Sequence, residues 1–278
     1  MNTRSVRRVF LWPALAAWCW IAMMQHTLAD TPFIIVQSTT STENSGLYDW
    51  LLPTFFTRTG IEVRVVSVGT GQAIKNAQNC DGDVLIVHSK EAEEQFVASG
   101  FGRHRYDLMY NDYVVIGPAN DPADVAKTQT AISALQALFA RRARFVSRGD
   151  DSGTHKAEMR LWRLAQRDPT PFSGRWYRES GSGMGATINL AVEMNAYALT
   201  DRATWTSFQR KGQHRIVSAR DTALTNQYGV IPIEPGHCPS AKFQYAEQFT
   251  HWLLSAEGQQ AIGEFRVNDQ QLFFPNAR

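Results

Sequence analysis

The run Phe33-Ile34-Ile35-Val36-Gln37-Ser38-Thr39-Thr40-Ser41-Thr42 sets the architecture of this chain. Four consecutive apolar residues fit a strand buried on both faces, and the five hydroxyl residues that follow stand just ahead of a helical stretch, 45–57. The same order then repeats. Ile61 to Val66 reads as a strand leading through Gly69-Thr70-Gly71 into a helix ending at Gln78, and Asp83 to Val87 reads as a strand followed by His88, Ser89 and a helix over about 91–98. Apolar strands alternating with helices imply an α/β fold with a parallel sheet. Tyr113 to Pro118 reads as a strand leaving that sheet, a second set of elements fills about 119–225, and Asn226 to Pro232 reads as a strand returning to the first sheet. Helices around 241–254 and from 256 complete the pattern. The expectation is two α/β lobes, 30–112 with 229–278 and 113–228, joined by two crossing strands with a ligand cleft between them.

In open parallel sheets, ligands sit beyond the carboxyl ends of strands, beside helix starts. The residues at those ends are donors. Besides Ser38–Thr42 and the Gly69-Thr70-Gly71 turn, the second lobe offers Ser147-Arg148-Gly149-Asp150-Asp151-Ser152-Gly153-Thr154-His155 ahead of a helix over 156–166. It also offers Gly181-Ser182-Gly183-Met184-Gly185 ahead of a helix over 186–195. A helix start carries unpaired N–H groups and partial positive charge, so it receives anions. Arg148 adds a permanent charge and a planar fork of donors suited to a multi-oxygen anion. Ser152 and Thr154 add neutral donors, and Gly153 has no side chain to hold an anion off the backbone. Hydroxyl clusters also serve as helix caps and glycine runs as turns; four sets converging on strand ends point instead to an anion site.

The remaining sequence removes several alternatives. Arg4, Arg7 and Arg8 precede an apolar run from Val9 to Met24, and Thr27-Leu28-Ala29 offers small residues before Asp30: a cleaved secretory signal peptide over 1–29. The run is broken by Pro13 and is short for a bilayer span. The chain has 28 basic and 26 acidic residues, and the leader would take three arginines and no acid, leaving 25 against 26. A chain so near neutrality has no basic footprint for nucleic acid, so an anion must be held by local geometry. GSGMGA (181–186) matches the dinucleotide pattern G-x-G-x-x-[GA], but Trp-Tyr-Arg-Glu before it makes a poor buried strand and Asp201 follows too soon to be the ribose acid. Ser152, His155 and the nearby Asp150 and Asp151 invite a Ser-His-Asp hydrolase, yet no G-x-S-x-G elbow exists. Cys80 and Cys238 fit no metal template; in an oxidising compartment they either pair or stay as buried thiols. No cofactor is expected.

Over nearly the whole mature chain the sequence resembles the periplasmic tungstate-binding proteins that feed ABC-type importers. The resemblance runs through STTSTENSGL (38–47), VGTGQA (68–73), DVLIVH (83–88), MYNDYVVIGP (109–118), FVSRGDDSGTH (145–155), GSGMGATINLA (181–191), YALTDRATW (197–205) and YGVIPI (228–233). The family's first loop is usually TTTS, so Ser38 departs from it while keeping a hydroxyl. The resemblance implies a type II periplasmic-binding-protein fold that closes on one oxyanion, tungstate or molybdate, and delivers it as a monomer to a permease in the inner membrane. Carried over by position, the anion contacts are Thr39, Thr40, Ser41, Thr70, Arg148, Ser152 and Thr154, with Gly153 among them. His88, Asp150, Asp151, Gly183 and Met184 are expected around this set, at least one of the two aspartates orienting Arg148 by a charged hydrogen bond. The R-x-D-x-S-G-T spacing also resembles phosphate-binding proteins. Phosphate still carries a proton at neutral pH and benefits from an acidic acceptor near the end of the third strand, where this chain has His88; tungstate and molybdate need donors only.

Overall fold

The structure, a computed structural model, describes residues 31–219 and 221–277; the signal peptide expected over 1–29 lies outside them. Strand β1 (Phe33–Thr39) sits between β2 (Glu62–Val68) and β3 (Val84–Val87), parallel to both. All four residues of β3 are buried, while the edge strand β2 is only partly covered, matching its mixed sequence EVRVVSV. The expected hydroxyl loop is instead structured: Ser38 and Thr39 end the strand, Thr40–Asn44 make a short helix α1, and α2 (Leu47–Thr59) follows. Thr39 accepts from the Thr42 N–H and so caps α1, which is why the hydroxyl run turns at once into helix. Next come α3 (Thr70–Gln78) and α4 (Lys90–Ala98).

Strand β4 (Tyr106–Pro118) is thirteen residues long and begins seven residues before the stretch legible in the sequence. Its polar-speckled first half, Tyr106–Asp112, pairs antiparallel with the returning strand β9 (Thr225–Pro232), and its apolar second half pairs with the second group of strands. That group lies between them in sequence: α5 (Ala131–Arg141), β5 (Phe145–Ser147), α6 (Gly153–Leu164), β6 (Tyr177–Glu179), α7 (Met184–Glu193), β7 (Tyr197–Asp201), α8 (Arg202–Ser207) and β8 (His214–Ser218). Strand β5 is parallel to β6 and β7. The sheet order is β2-β1-β3-β9-β4-β7-β5-β6, two parallel halves bridged by antiparallel β9 and β4. Of the stretch Trp-Tyr-Arg-Glu, weak as a buried strand, Tyr177–Glu179 form β6 at the sheet edge, where Tyr177 is buried and Arg178 and Glu179 are exposed. After β9 come α9 (Phe243–Leu254) and α10 (Ala256–Glu264).

Each half of the sheet is covered on both faces. Ile34, Val36, Phe55, Phe249 and Trp252 form a core on one side of the first half, and Ala73, Leu85, Val87, Phe96 and Ile231 one on the other. Tyr113, Phe145, Trp162 and Tyr197, and separately Val146, Met184, Ile188 and Ala198, do the same for the second half. Cys80 and Cys238 are joined in a disulfide, with Cα atoms 5.4 Å apart, that ties the end of α3 to the segment after β9. Among the described residues, no helix is long and apolar enough to cross a membrane.

Candidate functional site

Buried β5 delivers Arg148 at its carboxyl end, where the side chain is only 5% exposed. Its Nη2 donates to Asp150 Oδ2 over 2.5 Å, and Asp150 Oδ1 accepts the Ser152 N–H, so one carboxylate fixes both the guanidinium and the loop. Gly149 makes this turn possible: its φ is +60°, and a Cβ there would lie 2.6 Å from Glu179 Cβ. Ser152 is the N-cap of α6, its hydroxyl accepting from the His155 N–H. The helix therefore starts at Gly153, three residues earlier than the sequence reading placed it. Thr154 follows in the first turn, and Thr70 opens α3 across the cleft.

Three buried polar atoms in this region have no hydrogen-bond partner: Arg148 Nε, Thr70 Oγ1 and Thr154 Oγ1. Such an atom costs about 1–3 kcal/mol when left unpaired. Only seven side-chain atoms of this kind occur among the described residues, and three of them converge here. A Cβ built on Gly153 would lie 2.9 Å from Thr70 Oγ1 and 2.5 Å from His88 Cε1, which shows how closely α6, α3 and the end of β3 approach.

The hydroxyls of the first loop are already engaged. Thr39 Oγ1 lies 3.1 Å from Ser41 Oγ and 2.8 Å from Thr42 Oγ1, and Ser41 Oγ lies 3.2 Å from His88 Nε2. Ser38 bonds Tyr48 over 2.6 Å. On its other side His88 Nδ1 is 3.1 Å from Asn226 Oδ1, an oxygen that only accepts, because Asn226 Nδ2 donates to Asn111 Oδ1. Nδ1 therefore carries the ring proton, and Nε2 accepts from Ser41. Burial is the main reason His88 stays neutral, its pKa pushed down to about 4; Asn226 opposes this shift and the Arg148 charge adds to it. Tyr228 packs against the ring, with centroids 4.8 Å apart.

A cavity of about 570 Å³ runs beside these groups, lined among others by Thr40, Gly69, Gly71, Arg148, Asp151 and Gly183. Three helix starts meet around the site, those of α3, α6 and α7, with Gly69, Ser152 and Gly183 as their N-caps. Their first-turn N–H groups add partial positive charge. The Met184 side chain is buried in an apolar core, leaving only its backbone N–H for a ligand. The assembled set donates hydrogen bonds from one guanidinium and several hydroxyls, and its nearest carboxylate, Asp150, is spent on Arg148 and Ser152.

The hydrolase arrangement does not form. His155 Nδ1 accepts from the Asp151 backbone N–H over 3.1 Å, and Ser152 Oγ meets the His155 backbone rather than its ring. Asp201 caps α8, accepting from Thr204 N–H and Oγ1–H. Cys80, His237 and Cys238 bring their ligand atoms within 4.8 Å of one another, but both sulfurs belong to the disulfide.

Sequence reasoning missed the residues that set His88: Tyr113, Asn226 and Asn111, which come from the crossing strands β4 and β9. A buried asparagine inside an apolar strand pattern was the signal available. It also missed Glu158 on α6, whose Oε1 accepts from Trp162 Nε1 and Tyr177 OH over 3.0 and 2.8 Å.

Residues 25–257 match the PBP superfamily domain, and the chain belongs to that superfamily of binding proteins. Within it, the similarity is concentrated on one branch. A tungstate-binding protein, TupA, from Peptoclostridium acidaminophilum is 45% identical over 88% of this chain and 86% of its own length. The solved tungstate-binding protein TupA from Desulfovibrio alaskensis superposes with a TM-score of 0.79 at 46% identity, covering 89% of this chain and all of that one. The tungstate ABC transporter structure from Geobacter sulfurreducens gives 0.77 at 43% identity over 84% and 98%. This chain is a member of the TupA family.

Proposed function

We propose that this protein captures tungstate, with molybdate as a weaker second ligand, and hands it to an ABC permease in the inner membrane after export to the periplasm through a cleaved leader. The observation that carries the reading is the cluster of unpartnered buried donors, Arg148 Nε, Thr70 Oγ1 and Thr154 Oγ1, beside three helix starts. A tetrahedral dianion supplies acceptors in all directions and pairs each of them. Thr40, Ser152 and the N–H groups of Gly153, Gly183 and Met184 complete the shell, while Thr39 and Ser41 act through the hydroxyl chain that fixes the position of the His88 ring.

The lobes are 30–112 with 229–278 and 113–228, and the apolar cores, which with the exceptions of Ala203 and the boundary residue Tyr228 divide at the same places, support this division. Thr70 comes from one lobe and Arg148 and Thr154 from the other, so a bound anion favours the closed state by contacts that exist only there. Phosphate fits less well. Its proton needs an acceptor, and the nearby ones are engaged: Asp150 by Arg148 and Ser152, His88 Nε2 by Ser41, and Asp151 by Lys156, its other oxygen turned to the start of α3.

Calorimetric titration of residues 30–278 with tungstate, molybdate, sulfate and phosphate tests the reading. The expected result is one-to-one saturation by tungstate, weaker binding of molybdate and no heat from phosphate. Saturation by phosphate alone would overturn it.

A further inference from the structure

Two glycines face each other's neighbours across the cleft. Gly71 is the second residue of α3, and a Cβ there would stand 2.8 Å from Asp151 Oδ2 and 3.8 Å from Asp151 O. Gly153 opens α6, and its Cβ would stand 2.5 and 2.8 Å from His88 Cε1 and Nδ1. Each half thus offers a bare backbone to a side chain of the other half.

Asp151 is held out for this contact. Its φ is +57°, in the left-handed region that a non-glycine residue enters at a cost. Its N–H is tied to His155 Nδ1 and its Oδ1 to Lys156 Nζ over 2.5 Å, so Oδ2 is the oxygen that faces α3. The N-cap of α3 is Gly69, which gives no side-chain hydrogen bond to the first turn, and no acidic residue lies in that turn. A carboxylate brought up from the opposite segment supplies the negative charge that a helix start favours.

We propose that Asp151 is a closure latch, a positioning residue that docks on the uncapped start of α3 at Gly71 when the halves come together and slows release of the anion. The proposal rests on the tungstate-binding reading above. Asp151 does not touch the anion; it acts on the lifetime of the closed state.

The test is the tungstate dissociation rate by stopped-flow tryptophan fluorescence, together with the melting temperature of the anion-free protein. Asp151→Ala is expected to speed release about two- to fivefold, the size of one carboxylate's effect on a helix end. Gly71→Ala is expected to speed release to a similar degree while leaving the melting temperature equal or higher, because alanine is the better helix residue. The double variant Gly71→Ala/Asp151→Ala should release no faster than Asp151→Ala alone, since the displaced carboxylate is gone. If the parent protein takes up no tungstate, the functional reading fails and the latch with it. If the parent binds and both single variants release at the parental rate, the latch alone is overturned. A Gly71→Ala that only lowers the melting temperature also overturns it, assigning Gly71 to helix packing.

Discussion

Arg148 is anchored to Asp150 through Nη2, at 2.5 Å, while its buried Nε points to no partner at all. The two ends of one guanidinium therefore have different duties. The anchored end makes the free end rigid, so an anion that meets Nε does not first have to order a long side chain.

Replacing Arg148 should accordingly be the most damaging single change to binding. Arg148→Ala is expected to weaken tungstate binding by roughly 2–5 kcal/mol, the range for removing one member of a buried charged pair. Arg148→Lys should recover only part of this, because an ammonium cannot bond Asp150 and an oxyanion through one flat fork. Asp150→Asn should cost about tenfold through loss of orientation. Calorimetric affinities of the three variants check the order.

Thr70→Val and Thr154→Val should separate binding from stability. Neither hydroxyl has a partner in the protein, so valine removes an unsatisfied buried group and the anion-free protein should melt at the same or a higher temperature. Each loss should weaken tungstate binding by about 1.5–3 kcal/mol, as for a hydrogen bond to a charged group. A fall in melting temperature with affinity retained would assign these hydroxyls to the fold.

Glu158 makes stability depend on pH. Burial, opposed by its hydrogen bonds, raises its pKa from 4.5 to about 7. Between those values the folded chain keeps a proton that the unfolded chain has released. The group's contribution is thus most favourable below about pH 4.5, falls by about 3 kcal/mol as pH rises to about 7, and is constant beyond. Urea unfolding of Glu158→Gln between pH 5 and 7.5 should show a shallower decline than the parent. Glu93, likewise raised to about 7 by burial, and Asp201, also raised by burial, contribute slopes of the same sign.

The disulfide should matter for stability and not for binding. It closes a separation of 158 residues, for which loop-closure entropy gives about 5 kcal/mol. Both cysteines flank the core built on Leu85, Phe96 and Ile231, away from Arg148. Cys80→Ser/Cys238→Ser should melt well below the parent and bind tungstate with unchanged affinity, measurable by differential scanning and titration calorimetry.

Much of this was legible in the chain, and the losses have physical causes. Uninterrupted apolar strands such as Val84–Val87 announce themselves because both faces are buried. The first half of β4 did not, since Asp107, Asn111 and Asp112 interrupt the apolar pattern where the strand crosses between the halves. The donor set at Arg148, Ser152 and Thr154 could be read from residue types beside a helix start. What each hydroxyl does could not: Thr39 bonds Ser41 and Ser41 bonds His88, while Thr70 and Thr154 stay unpaired, and only the packing of three distant segments decides that. Pairing of Cys80 with Cys238 was equally beyond the sequence, because it depends on how β9 returns beside β3.

The most direct test is anomalous diffraction at the tungsten edge from crystals grown with tungstate. The account predicts one tungsten per chain, with its oxygens within hydrogen-bond distance of Arg148 Nε, Thr70 Oγ1 and Thr154 Oγ1. Tungsten bound elsewhere, with those three atoms still unpaired, would contradict it.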